Sequence, residues 1–117
     1  MSSDTYTDDQ HVKRAKRLSY IVEQYEDDIH RDPERARGNC RNESARFVHV
    51  LAAHDIEAEM VSGFEFFNGV IFNGHAAVLV GDVVYDWTAR QFYPHDQPVP
   101  LVQPLHEWRR TWRTLAL

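Results

Sequence analysis

The dipeptide Gly81-Asp82 lies between the apolar runs 76–80 and 83–85, and it constrains this chain more than any other feature. Two such runs separated by two residues meet only as an antiparallel hairpin, and a Gly-X pair suits a II′ turn. Strict pairing outward from the turn sets Val80 opposite Val83, Leu79 opposite Val84, Val78 opposite Tyr85, Ala77 opposite Asp86 and His75 opposite Thr88. Successive strand side chains alternate faces, so His75, Ala77, Leu79, Val84, Asp86 and Thr88 share one face. His75 and Asp86 become diagonal neighbours, roughly 7–8 Å apart along the backbone, from where an imidazole and a carboxylate close to a hydrogen bond.

A second hairpin precedes the first. Ile56 to Phe67 carries Ile56, Ala58, Met60 and Val61 with Glu57 and Glu59 between them, the alternation of a half-buried strand. Asn68-Gly69 then gives a type I′ turn, so that Val70-Ile71-Phe72 returns antiparallel. Asn73-Gly74 predicts a bulge or break just before His75. Phe64, Phe66, Phe67 and Phe72 read as the core of this twisted hairpin in preference to a groove wall.

Helices flank the hairpins. Thr7-Asp8-Asp9-Gln10 has the form of a capping box, and Ala15, Leu18, Val22, Tyr25 and Ile29 make an apolar stripe through about residue 31. Asp32-Pro33 stops that helix, and a charged connector ends at Gly38. A second helix opens at Cys40 and turns Cys40, Ser44, Phe47, Val48 and Leu51 inward. Pro94, Pro98, Pro100 and Pro104 keep the segment from Tyr93 to Gln103 extended and out of a central sheet position. A last short helix from Leu105 to about Thr114 carries Trp108, Trp112 and Leu115 as a docking stripe. The expected architecture is α+β: N-terminal helices, the cysteine helix packed on a small antiparallel sheet, and a short C-terminal helix, in a single domain over residues 1–117.

Composition bounds the chemistry. Thirteen basic and eighteen acidic residues leave a net charge of −5, which disfavours electrostatic binding to nucleic acid or an anionic membrane. One cysteine allows no internal disulfide and no cysteine-rich zinc site. His11, His30, His49, His54, His95 and His106 are scattered without metal-ligand spacing, so neither a metal nor another cofactor is expected. No apolar run reaches the ~20 residues of a membrane span. The opening Met1-Ser2-Ser3-Asp4 lacks a charged-then-apolar segment, and a cytoplasmic setting is the expectation.

A cysteine at a helix start, followed by a histidine and an aspartate on adjacent antiparallel strands, is the layout of acyl transfer through a thiolate. The unsatisfied amides and dipole of the helix N-terminus favour the thiolate of Cys40. His75 would act as general base and acid, and Asp86 would fix its tautomer. The Cys40 amide is a natural oxyanion donor, with Asn39, Trp87 and Gln91 as further oxyanion or substrate candidates on residue type.

The pattern Gly38-Asn39-Cys40, then Gly74-His75-Ala76, then Val84-Tyr85-Asp86-Trp87-Thr88-Ala89-Arg90-Gln91-Phe92 resembles the transglutaminase-like and papain-like cysteine hydrolase superfamily in its compact bacterial and phage form. The resemblance covers about residues 38–92. It implies a cysteine helix packed on an antiparallel sheet, and amide chemistry on a peptide or protein substrate by hydrolysis, deamidation or acyl transfer. Cys40, His75 and Asp86 alone carry over as residues. Ala76 and Ala77 stand where an aromatic often follows the histidine, Asp86-Trp87 replaces the usual Asp-Pro, and Glu34 occupies the upstream spacing at which papain-type proteases place a glutamine. The rival expectation is a non-catalytic protein-binding module on the same fold, supported by the aromatic residues between Phe64 and Phe72.

Overall fold

The computed structural model describes residues 3–25, 30, 32–92 and 98–114. Four helices appear among them: α1 (Ser3–Tyr25), α2 (Pro33–Ala36), α3 (Cys40–Ala53) and α4 (Leu105–Thr111). The strands β1 (Glu59–Phe67), β2 (Val70–Val80), β3 (Val83–Asp86) and β4 (Leu101–Pro104) form one antiparallel sheet in the order β1-β2-β3-β4. The α+β class and the short C-terminal helix agree with the sequence.

The two turns set the sheet. Asn68 and Gly69 both hold left-handed backbone, φ 54° and 78°, as a type I′ turn requires. Gly81 is left-handed as well, at φ 64°, and Val80↔Val83, Leu79↔Val84 and Val78↔Tyr85 pair in the expected register. The ladder stops there. Asp86 pairs with Leu101 of β4 on its other side, so Ala77–Asp86 and His75–Thr88 are not ladder pairs, and β3 parts from β2 just where the site lies. The expected irregularity near Asn73-Gly74 is a bulge: Glu65 pairs with Asn73 but Phe66 pairs with Ile71, leaving Phe72 as the extra residue on β2.

Both faces of the sheet are covered. On one, Ile21 of α1 and Phe47 and Leu51 of α3 pack with Ile56, Val78 and Trp87. On the other, Val61, Ala77, Leu79 and Val84 lie beneath Trp108 and Trp112. This explains why residues 75–79 are buried without interruption although their side chains alternate in direction. Helix α3 ends in a Schellman motif, with Ile56 N–H on the Leu51 carbonyl and Asp55 N–H on that of Ala52, and Asp55 in the left-handed region at φ 60°.

Several expectations change. Helix α1 begins at Ser3, so Thr7 lies inside it and does not cap its start. Its buried contact begins at Leu18 and centres on Ile21, and Ala15 is exposed. Ile29, Tyr93 and Leu115 lie outside the described residues. Strand β1 begins at Glu59, after a buried Ile56 that belongs to the helix stop. The phenylalanine reading also fails at the hairpin tip. Phe67 and Phe72 are 66% and 68% exposed, because β1 and β2 run beyond the reach of β3 and both helical layers.

Candidate active site

The site forms at the seam where β3 leaves β2. In a two-residue hairpin the residues flanking the turn exchange hydrogen bonds, so Val80 points its N–H toward β3 and, by the period of two, Val78 and Ala76 do the same. Beyond Val78 the ladder has ended, and the N–H of Ala76 is free for another acceptor. The Cys40 sulfur takes that place, near enough to the amides of Ala76 and Arg41 for both to favour its thiolate. The opening between strands lets a cysteine from α3, which covers one face, meet a histidine whose ring is packed on the other.

His75 Nε2 donates to Asp86 Oδ2 at 2.7 Å, with both side chains sealed from solvent. Asp86 is itself fixed, its Oδ1 accepting the Thr88 N–H at 3.2 Å and its Oδ2 the Trp108 indole N–H at 3.4 Å. The imidazole is walled by Trp112 and Phe92, at 4.7 and 4.8 Å between ring centres. Nε2 is committed to Asp86, and Nδ1 has no well-formed hydrogen bond among the described residues, which leaves that nitrogen for the neighbouring Cys40.

Electrostatics couples the two groups. Burial by itself lowers the affinity of the His75 ring for a proton, but the hydrogen bond to Asp86, the contact with Cys40 and both negative charges outweigh it, and the ring is pushed up to about 9. Burial by itself raises the Cys40 thiol. The nearness and charge of His75 and the amides of Ala76 and Arg41 overcome this, and the thiol falls below its ordinary value. Opposite shifts in adjacent groups favour a thiolate beside an imidazolium. Cys40 is half-buried.

The other candidates occupy different places. Asn39 precedes the helix without capping it, and its Nδ2 donates to the Arg35 carbonyl at 2.6 Å. Gln91 ties the loop down: its Oε1 accepts the Gly38 N–H at 3.3 Å and its Nε2 donates to Thr88 Oγ1 at 3.0 Å. Both flank Cys40, and each retains one side-chain N–H beyond the bond it makes. Trp87 sits in the core among Tyr25, His30 and Phe47, and its indole N–H has no partner among the described residues.

The sequence reading missed two supports. The first is α4, whose tryptophans are spaced for docking as expected but also hold His75 and Asp86; a buried indole N–H needs an acceptor, and that was the available signal. The second is a buried polar knot one turn beyond Cys40. Glu43 receives His30 Nε2 at 2.7 Å and the Tyr25 hydroxyl at 3.0 Å, and Arg46 stands 3.7 Å from its other oxygen. Burial, reinforced by the Glu43 carboxylate, pushes the Tyr25 phenol up, so it remains a neutral donor. A surface depression of about 990 Å3 is lined by Val48, Ala52 and Asp55 near the other end of α3. Ala52 is twelve residues from Cys40, roughly 18 Å along the helix, so that depression is not part of this site.

Among the described residues no three His, Cys, Asp or Glu side chains converge as a metal cluster, and no helix is long and apolar enough to cross a membrane. No family model matches the chain, and neither the curated proteins nor the solved structures contain a match.

Proposed function

We propose that the protein is a cysteine-dependent hydrolase or acyltransferase acting on an amide bond, built on a papain-like or transglutaminase-like core. One observation carries this reading: His75 holds Asp86 through Nε2 at 2.7 Å and keeps Nδ1 unpartnered beside Cys40 at the start of α3, and the lowered thiol and raised imidazole support it. The thiolate attacks the amide carbonyl carbon, forming a C–S bond. His75 gives its Nδ1 proton to the departing amine as the C–N bond breaks, leaving a thioester. Water or an amine then attacks the thioester, returns a proton to His75 and releases Cys40. Asp86 holds the ring through Nε2 in every step. The Cys40 N–H, at the first helical position and without an intrahelical acceptor, serves the oxyanion.

Iodoacetamide labelling tests the reading without a known substrate. At pH 7 Cys40 should react at least about tenfold faster than free cysteine, whose thiol titrates near 8.5. A rate at or below that of free cysteine would sink the proposal. A thioester adduct weighed on Cys40 after incubation with cell extract, and absent from Cys40→Ala, would identify the acyl group. The exposed apolar arm bearing Phe67, Val70, Ile71 and Phe72 favours a second reading, a protein-binding module on the same fold. That reading predicts a Cys40→Ala protein retaining its full function.

A further inference from the structure

We propose that the acyl donor presented to Cys40 is an acidic peptide, selected by the exposed arginines that flank the nucleophile in the loop and helix start. This rests on the catalytic reading of Cys40 and names the substrate class of the same site. The chain as a whole is acidic, with eighteen acidic and thirteen basic residues, yet the stretch around the cysteine runs Arg35-Ala36-Arg37-Gly38-Asn39-Cys40-Arg41. The fold holds these residues on one short helix, its loop and the start of α3. Asn39 turns back on α2, its backbone N–H reaching the Ala36 carbonyl at 3.1 Å and its side chain the Arg35 carbonyl at 2.6 Å. Gln91 grips the Gly38 N–H at 3.3 Å, which sets the turn carrying Arg90 against the same loop.

Arg35, Arg37 and Arg41 are exposed, and among the described residues Arg37 and Arg41 form no ion pair. Among the described residues the nearby acids do not cancel them. Glu43 is buried and bound by His30 and Tyr25. Asp32 and Glu34 lie at the far end of α2, where Asp32 accepts the Glu34 N–H. A thiolate paired with an imidazolium is close to neutral, so the rim sets the sign of the field that an approaching substrate meets. Clustered charge of one sign raises the local concentration of the opposite sign. A carboxylate beside the reactive carbonyl is therefore drawn to the site, and a lysine there is repelled.

Two alkylating reagents of similar shape and different charge read that field. The rates of Cys40 with anionic iodoacetate and neutral iodoacetamide are measured for the native chain and for Arg37→Glu/Arg41→Glu, with circular dichroism as the folding control. Reversing both charges, at about 10 Å in water, should lower the iodoacetate-to-iodoacetamide ratio on the order of tenfold at ~0.01 M salt. The effect should collapse near ~1 M, where the screening length falls to about 3 Å. A short blocked Glu-rich peptide should protect native Cys40 from iodoacetamide, and its Lys-rich counterpart should not. A ratio unmoved by the double variant, or equal protection by both peptides, overturns the acidic-donor inference while rapid iodoacetamide labelling leaves the catalytic reading standing. Slow iodoacetamide labelling of the native chain overturns both.

Discussion

Replacing Asp86 by asparagine removes one charge from the buried centre while keeping its shape, and the consequence can be followed through to Cys40. The rise of the His75 ring from 6.5 to about 9 corresponds to about 3 kcal/mol in favour of the imidazolium, at about 1.4 kcal/mol per pH unit. Burial opposes that rise, and Asp86 is the largest influence supporting it. In Asp86→Asn the burial remains and the carboxylate is gone, so the ring should titrate well below its native value and give up much of its charge at pH 7. The thiolate then loses its cation, and the Cys40 thiol should climb. Losing even half of the 3 kcal/mol is about a tenfold change in the thiolate population. The assay is the iodoacetamide rate of Cys40 across pH, with the His75 ring followed by NMR. The native inflection should lie below that of an ordinary thiol, and the variant's above it. An unchanged rate profile in a folded Asp86→Asn protein would refute the coupling.

Two further outcomes follow from the same contacts. A raised histidine contributes stability that is complete below its unfolded value of 6.5 and fades as pH rises through about 9, whereas the lowered Cys40 contributes in the opposite sense, gaining as pH rises. Cys40→Ser removes the second and lessens the first, whose remaining rise is set by Asp86, and urea unfolding should show the variant losing stability relative to native as pH rises above about 6.5. At Gly63, which pairs with His75 across the strands, an added Cβ would stand 2.6 Å from the Trp112 carbonyl oxygen. Gly63→Ala should therefore cost about 1–3 kcal/mol in unfolding experiments and displace Trp112 from the imidazole, broadening the pH dependence of Cys40 labelling.

The central hairpin was legible because its information is local. A glycine-led turn and a period of two fix the faces of His75 and Asp86, and the apolar spacing after Cys40 places that residue at a helix start. The early end of the β2–β3 ladder was not legible, since it depends on Asp86 pairing outward with Leu101, fifteen residues away. Nor was the role of Trp112, which reaches His75 only because a distant Gly63 admits its backbone. The capping box at Thr7 misled because a good local signal was overridden by helix continuing on its N-terminal side. The phenylalanines misled because hydrophobicity does not say where a sheet's cover ends.

The extra residue at Phe72 separates two lengths of the same hairpin. On one side, pairing from Glu59↔Leu79 to Glu65↔Asn73 is anchored by the turn at Gly81 and sets the face of His75. On the other, Phe66, Phe67, Val70 and Ile71 pair in a shifted register that does not constrain it. A change of strand length by one residue normally turns every following side chain over. Here an insertion or deletion at the arm's tip is taken up at the bulge, so the arm is free to diverge in length and sequence while the imidazole keeps its orientation. The bulge works as an expansion joint between a variable outer hairpin and a centre whose phase is fixed.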